Sequence, residues 1–156
     1  MTVQDPTSKK RSAAKTNSKP PDDPTLFLDR GLGTKVIATA LRKIGAKVEV
    51  HDDHFAPDAP DEEWLRVVGD RRWVVLTKDR KLRYHRLALN AIRRAKVHAF
   101  ILTAGDVQGS EMATTFVKAL PRIYRLSERR PPPLIARVTR SGVVNVVWPH
   151  RNRKGR

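Results

Sequence analysis

Two aspartates follow apolar segments of the kind that form buried strands. Asp79 closes the run at 73–78, and Asp29 follows the run at 25–28. Continuous β-branched and apolar runs are typical of strands buried on both faces, as in parallel sheets. Ligands of open α/β sheets bind just beyond the carboxyl ends of the strands. Such an aspartate can also cap a helix or start a turn, but two of them in a very basic chain favour an acidic functional site.

The composition indicates one domain with a surface that attracts polyanions. The 156 residues include 32 Lys and Arg against 16 Asp and Glu, a formal net charge of +16. The first 20 residues carry five bases and one acid, and the last six carry four bases, so half of the net charge lies between these ends. The expected partners are nucleic acid first and an acidic protein second. The absence of cysteine excludes disulfides and thiolate metal sites.

The chain divides into three parts by composition. We expect a disordered basic tail at 1–24, a folded domain at 25–149 and a basic tail at 150–156. The sequence has neither an apolar leader nor a run of membrane length, so we expect a cytoplasmic protein without membrane contact. Homo-oligomerisation stays open.

Apolar periodicity predicts strands alternating with helices inside the folded part. The predicted strands are 25–29, 47–50, 73–77 and 97–102, and the helices begin near 36, 60, 82 and 110. Pro121 should kink or end the last helix. Two further strands, 134–139 and 143–148, are joined through Arg140-Ser141-Gly142, which predicts a hairpin. The order predicts an α/β fold with a C-terminal antiparallel hairpin.

A third candidate acid opens the second helix. Asp61 precedes Trp64 and Leu65 by three and four residues, so it shares their inward face. Glu62 is turned about 100° away and is the alternate if the helix is rotated. Acids also stabilise a helix N-terminus without any chemistry. Asp106, after the strand at 97–102, is the candidate fourth carboxylate and is equally typical of a turn.

Two other motifs are weaker. The segment His51-Asp52-Asp53-His54 has the composition of a metal cluster, but neighbouring side chains of an extended segment point opposite ways, which favours a polar loop. Gly31-x-Gly33 lacks the third glycine and the Lys-Ser/Thr of nucleotide loops, which favours a turn.

The acidic candidates and the arginines together suit a phosphodiester. Converging carboxylates repel one another and need a cation. Oxygen donors without cysteine favour Mg²⁺ or Mn²⁺, which can polarise a phosphoryl oxygen and help to generate hydroxide. The helix at 82–95 contains no acid, and its arginines suit bidentate phosphate contacts, although a solvated helix face is the alternative. These arginines are Arg83, Arg86, Arg93 and Arg94.

Three segments resemble the PIN-like nuclease domain, and in particular the toxins of the VapC family of toxin–antitoxin modules. They are Phe27-Leu28-Asp29-Arg30, Asp61-Glu62-Glu63-Trp64 and Leu76-Thr77-Lys78-Asp79-Arg80. The resemblance spans about 25–148. It implies a three-layer α/β/α fold around a mainly parallel sheet, and an Mg²⁺- or Mn²⁺-dependent endoribonuclease restrained by an antitoxin. It also implies that Asp29, Asp61 and Asp79 are catalytic metal ligands. In such an enzyme the four arginines would bind RNA.

Two other classes of function remain open from the sequence. A nucleic-acid-binding module with the same fold would bind RNA with a steep salt dependence, and the loss of Asp29 or Asp79 would not matter. A phosphoryl-transfer receiver could use Asp52, Asp53 and Asp79, but the high positive charge argues against it. DNA also stays open as a substrate.

Overall fold

The computed structural model describes residues 23–33, 35–79 and 86–149. Its strands are β1 (Leu26–Leu28), β2 (Val48–Val50), β3 (Val74–Thr77), β4 (His98–Leu102), β5 (Leu134–Val138) and β6 (Val144–Trp148). Its α-helices are α1 (Val36–Lys43), α2 (Asp61–Asp70), α3 (Arg86–Ala95) and α4 (Gly109–Arg129). Two short 3₁₀ turns, Arg30–Leu32 and His51–Asp53, follow β1 and β2. Among the described residues, no helix is long and apolar enough to cross a membrane.

The six strands form one sheet in the order β2-β1-β3-β4-β5-β6. The first five are parallel to their neighbours, and only β6 runs antiparallel, against β5. The predicted α/β fold with a mainly parallel sheet and a C-terminal hairpin is therefore confirmed. The first strand of the hairpin, β5, pairs in parallel with β4. Only the second strand, β6, is an antiparallel addition to the sheet.

Helices cover both faces of the sheet and divide the core into two apolar layers. Helices α1 and α4 enclose the larger layer, in which residues such as Ile37 and Phe116 meet the sheet. Helices α2 and α3 enclose the other, which contains Trp64, Ile92 and Phe27 of β1. Strand residues alternate between the layers, since successive side chains of a strand point to opposite faces. The continuous apolar runs of the sequence follow from burial on both faces.

Helices α2 and α3 approach each other closely near their carboxyl ends. A Cβ atom built on Gly69 would lie 2.0 Å from the carbonyl oxygen of Ala95, which no real contact allows. Glycine therefore fits this position because of the approach of a neighbouring backbone, at some cost in helix propensity.

Helix α4 continues through Pro121, where the sequence predicts a kink or an end. The predicted end is wrong, because the helix runs without a break from Gly109 to Arg129. A proline inside a helix costs about 3 kcal/mol. Burial of each large apolar side chain returns about 1.5–3 kcal/mol, and Phe116, Leu120 and Ile123 are all buried along this helix. The burial of these three side chains, on both sides of Pro121, outweighs the cost of the proline to the helix.

The two weaker motifs both lie in 3₁₀ turns. Gly33, with φ +78°, ends the 3₁₀ turn that follows β1, as the turn prediction requires. His51 is buried at the start of the second 3₁₀ turn, where its ring packs near Phe27, Phe55 and Trp64. His54 instead pairs with Glu49, with 2.7 Å between Nε2 and Oε1. The two histidines therefore serve different contacts.

Candidate active site

Asp29 and Thr77 meet where β1 and β3 end. The two strands pair in parallel with Leu28 opposite Leu76, and the N–H of Asp29 donates to the carbonyl of Leu76 at 3.0 Å. The register thus places the next residue of each strand at the same edge of the sheet. The Thr77 hydroxyl donates to Oδ2 of Asp29 at 2.7 Å, and Oδ1 of Asp29 accepts from the N–H of Arg30 at 2.7 Å.

The Thr77 hydroxyl also holds the segment that carries Asp79. It accepts a hydrogen bond from the N–H of Asp79 at 3.0 Å while it donates to Asp29. Thr77 is fully buried, so water does not compete for the two hydrogen bonds of its hydroxyl group. One hydroxyl group therefore links the two aspartates that follow the central strands. Sequence analysis did not assign this role to Thr77, although a polar residue at the end of a buried apolar run is a signal for it.

Asp61 reaches the same region from helix α2. Its Oδ1 accepts a hydrogen bond from the indole N–H of Trp64 at 3.0 Å. Trp64 is only 2% exposed, and its ring stacks on Phe27 with 5.5 Å between centroids. Phe27 lies two residues before Asp29, so the tryptophan connects the first turn of α2 to the end of β1. Asp61 thus lies beside the buried Trp64, although the aspartate itself is exposed.

The three aspartates interact electrostatically. Burial raises the pKa of Asp29 above its usual value, and the hydrogen bonds from Thr77 and Arg30 oppose that shift. The charges of Asp61 and Asp79 raise the pKa of Asp29 further. Ionised carboxylates in such proximity destabilise one another unless a cation compensates them.

The other candidate acids stand apart from this group. Glu62 is exposed and its Oε2 lies 4.0 Å from Nη1 of Arg94, so its nearest charged partner belongs to α3. Asp106 is exposed in the segment after β4, and it is not among the charges that act on Asp29. The structure thus brings Asp29, Asp61 and Asp79 together and does not add Glu62 or Asp106 to them.

The predicted arginines have different surroundings. Arg86 begins α3 and is exposed. The guanidinium of Arg93 lies 5.7 Å from the ring centroid of Trp148. Arg94 has the contact with Glu62, so the absence of acids from α3 itself does not leave every arginine unpaired. Arg83 lies outside the described residues.

The donor set of the site fits a hard divalent cation. Asp29 uses one hydrogen bond on each carboxylate oxygen, and each oxygen retains a lone pair. Mg²⁺ is commonly held by one or two carboxylates with water completing its shell. With the side chains as they stand, no three His, Asp or Glu residues in the described part of the chain are close enough to share one ion. An ion on one or two of these carboxylates is compatible with that spacing.

A groove of about 1410 Å³ lies elsewhere, beside the amino-terminal ends of the strands. Residues that precede or begin strands line it, including Pro24, Trp73 and His98, together with Tyr124 of α4. The carboxylates lie at the opposite, carboxyl-terminal ends of the strands, so the groove takes no part in the candidate site. Burial lowers the pKa of His98 there, and its Nε2 lies 2.7 Å from the carbonyl of Arg130.

Comparison with known proteins identifies the family. The sequence profile described as "PIN like domain" matches residues 24–104, just over half of the chain. The chain therefore belongs to the PIN-like domain family. The match contains all three aspartates and ends before α4. Searches of curated proteins and of solved structures find no match.

Proposed function

We propose that this protein is an Mg²⁺- or Mn²⁺-dependent endoribonuclease that hydrolyses RNA phosphodiester bonds. The observation that carries the proposal is the Thr77 hydroxyl, which donates to Asp29 and accepts from the backbone of Asp79. PIN-like membership and the net charge of +16 agree with a nucleic-acid substrate. Fixing the carboxylate of Asp29 and the backbone of Asp79 with one buried hydroxyl favours a built acidic site over passive binding.

Each residue of the site has a separate part in this proposal. One or two carboxylates among Asp29, Asp61 and Asp79 would contact the cation directly, and the remaining carboxylate would act through bound water. When bound, the cation polarises the phosphoryl oxygen and activates water. Thr77 and Trp64 orient Asp29 and Asp61, since each donates to a carboxylate oxygen. Burial and the charges of Asp61 and Asp79 raise the pKa of Asp29, so a bound cation would offset this cost by stabilising the ionised carboxylate. Arg86 would contact phosphate near the amino end of α3.

Cleavage of a structured RNA pool tests the proposal. We would compare Mg²⁺, Mn²⁺ and EDTA with the wild type and with Asp29→Asn, Asp79→Asn and Asp70→Asn. Asp70 is an exposed acid at the end of α2 and lines the groove at the amino-terminal ends of the strands, away from the three aspartates. It is therefore the matched control. We expect metal-dependent cleavage that both site variants lose and Asp70→Asn retains. Equal RNA binding by all four proteins without any cleavage would instead identify a non-catalytic binding module.

We further propose that the nuclease is the toxin of a toxin–antitoxin module. The resemblance of the three acidic segments to VapC toxins supports this proposal, and the positive charge suits an acidic antitoxin. Induced synthesis of the wild type should stop bacterial growth, whereas the same amount of Asp29→Asn protein should not. Growth arrest by both proteins at equal levels would contradict a toxic nuclease activity.

A further inference from the structure

The two edges of the sheet are not equivalent. At one edge, β2 has only three residues, and the N–H of Leu26 donates to the carbonyl of Lys47 at 2.8 Å. Backbone groups of successive strand residues point to opposite sides, so those of Val48 point away from β1. Nη2 of Arg42 donates to the outward carbonyl of Val48 at 2.7 Å. This edge is short and is closed by a side chain.

At the other edge, β6 has backbone groups that no strand among the described residues pairs with. The N–H of Thr139 donates to the carbonyl of Val143 at 2.9 Å, and Arg137 lies opposite Asn145. By the same alternation, the N–H and C=O groups of Val144 and Val146 point away from β5. Strand β6 ends the sheet, so no further strand in the described part of the chain pairs with them.

Between Val144 and Val146, β6 lacks the features that usually protect an edge. Natural edge strands are short, charged, interrupted by proline or bent by a bulge. Strand β6 has five residues and contains neither a charged residue nor proline. The register shift leaves Val147 as an extra residue between Val146 and Trp148, so the bulge lies near the carboxyl end of β6 and pairing from Val144 to Val146 is regular. The strand is therefore a template on which another strand can form.

The charges around β6 indicate what kind of strand would pair there. Arg137 is exposed and shares the face of Ile135, on the side of α2 and α3, where Arg93 lies over Trp148. On the opposite face, Val144 and Val146 pack against the apolar layer beneath α4. A second copy of the chain would bring another charge of +16 to this edge and be repelled.

We propose that an extended acidic segment of a partner protein adds to β6 as a seventh strand. It would lie about 4.8 Å from β6, with its acidic side chains on the face of Arg93 and Arg137. Its apolar side chains would lie on the face of Val144 and Val146. Main-chain hydrogen bonds supply affinity in this mode of recognition, and the alternating side chains supply specificity. The proposed nuclease activity is not needed for this binding.

Backbone amide exchange of the full chain tests the proposal directly. The probe is a peptide, Thr-Glu-Val-Glu-Val-Glu-Thr with blocked ends, and the control peptide has lysine in place of glutamate. We expect the acidic peptide to slow exchange at the N–H groups of Val144 and Val146. The N–H of Asn145, which already faces β5, should not change. Unchanged exchange at both valines, or equal slowing by the lysine peptide, would overturn the proposal.

Two variants locate the binding on the edge. Val146→Pro removes an outward N–H without removing a bond to β5, whereas Val146→Thr keeps the N–H and is the matched control. We expect Val146→Pro to weaken binding of the acidic peptide by about tenfold, the equivalent of one hydrogen bond, and Val146→Thr to bind like the wild type. Unchanged binding by Val146→Pro would contradict pairing at this edge.

Light scattering and the Asp29→Asn variant separate the remaining outcomes. If light scattering shows that the wild type is a dimer and Val146→Pro is a monomer, a second copy of the chain pairs with β6. That result would overturn the proposal of an acidic partner. Asp29→Asn should bind the acidic peptide as the wild type does. Failure of RNA cleavage therefore leaves this test intact, and failure of peptide binding leaves the nuclease proposal intact.

Discussion

A single hydroxyl group joins the residues on which the proposed chemistry depends. Replacement of Thr77 by Val keeps the shape of the side chain but leaves Oδ2 of Asp29 and the N–H of Asp79 without this partner. Outer hydrogen-bond partners of metal ligands typically contribute 10–100-fold to affinity or activity. We therefore expect Thr77→Val to lower the RNA cleavage rate by about 10–100-fold, measured at saturating Mg²⁺.

Thr115→Val is the control for that substitution. Thr115 is also buried and donates to a backbone carbonyl, that of Arg140, but it lies on α4 away from the aspartates. Both variants should lose about 1–3 kcal/mol of folding free energy through an unsatisfied polar group. Only Thr77→Val should lose activity. A similar loss of cleavage in both would show that stability, rather than orientation of the aspartates, is responsible.

The raised pKa of Asp29 has a consequence for stability against pH. Because its pKa is higher in the folded protein than the ordinary 3.8, the folded state binds this proton more tightly than the unfolded chain. The resulting cost is absent below pH 3.8 and grows as the pH rises through the folded pKa. We expect Asp29→Asn to have a higher Tm than the wild type at pH 7 without divalent cations, and this difference to vanish near pH 3.

Thermal unfolding at several pH values measures this difference. Addition of Mg²⁺ at pH 7 should raise the Tm of the wild type and leave Asp29→Asn nearly unchanged, since a ligand stabilises only the state that binds it. A variant that is less stable than the wild type at pH 7 without Mg²⁺ would show that the hydrogen bonds of Asp29 outweigh its burial.

Sequence patterns could nominate the three aspartates but could not show the hydrogen bonds of Thr77 with Asp29 and Asp79. Asp29 and Asp79 were visible because each follows an apolar run, and Asp61 because it shares a helix face with Trp64. The role of Thr77 depends on the register of two strands that lie 48 residues apart at this bond. Local periodicity contains no information on that register. Burial of His51 among aromatic rings has the same origin, because those rings come from separate elements.

At the scale of elements, the crossing of α2 and α3 depends on Gly69. Gly69→Ala should improve helix propensity but force its Cβ against the carbonyl oxygen of Ala95. Overpacking of this kind typically costs about 1–3 kcal/mol, so we expect a net loss of stability in urea unfolding. Gly109→Ala is the control, because its Cβ would meet Val36 at an ordinary 3.6 Å. Equal stability of both variants would contradict the close approach.

Element types followed from periodicity, whereas some boundaries required the tertiary structure. All six strands occur within the predicted segments, since buried apolar runs and the hairpin signal are local features. The continuation of α4 beyond Pro121 was not predictable, because only packing against the sheet shows how much burial opposes the cost of proline. The parallel pairing of β5 with β4 likewise depends on a long-range choice of neighbour.

At the scale of the whole molecule, the charge predicts how RNA binding responds to salt. Contacts with six to ten phosphates lower affinity by about 10³–10⁵ between 50 and 200 mM salt. We expect a steep linear fall of this kind for single-stranded RNA, measured by fluorescence anisotropy. Arg86→Gln should reduce the salt slope by about one. Arg140→Gln is the control, because Arg140 is already bonded to Glu111 at 2.8 Å; an identical decrease in both would exclude a specific contact at Arg86.

The class and family of the molecule were accessible from sequence, and the state of the two sheet edges was not. Alternation of strands and helices predicted the α/β sheet, and the acidic segments resembled the family that the profile match identifies. Nothing in a local pattern shows that Arg42 closes one edge of the sheet, or that no strand in the described part of the chain pairs with the other. The predicted tails at 1–24 and 150–156 fall almost entirely outside the described residues and stay predictions.

The hydrogen bond between Trp64 and Asp61 gives the protein an optical reporter of its own site. The emission of an indole depends on the charge and polarity beside it, and the N–H of Trp64 contacts one of the carboxylates proposed to hold a cation. Binding of a cation to Asp61 would therefore change the fluorescence of the buried Trp64 without any added dye. Under the proposed function, occupancy of the site by a cation can be followed in the intact protein before a substrate is known.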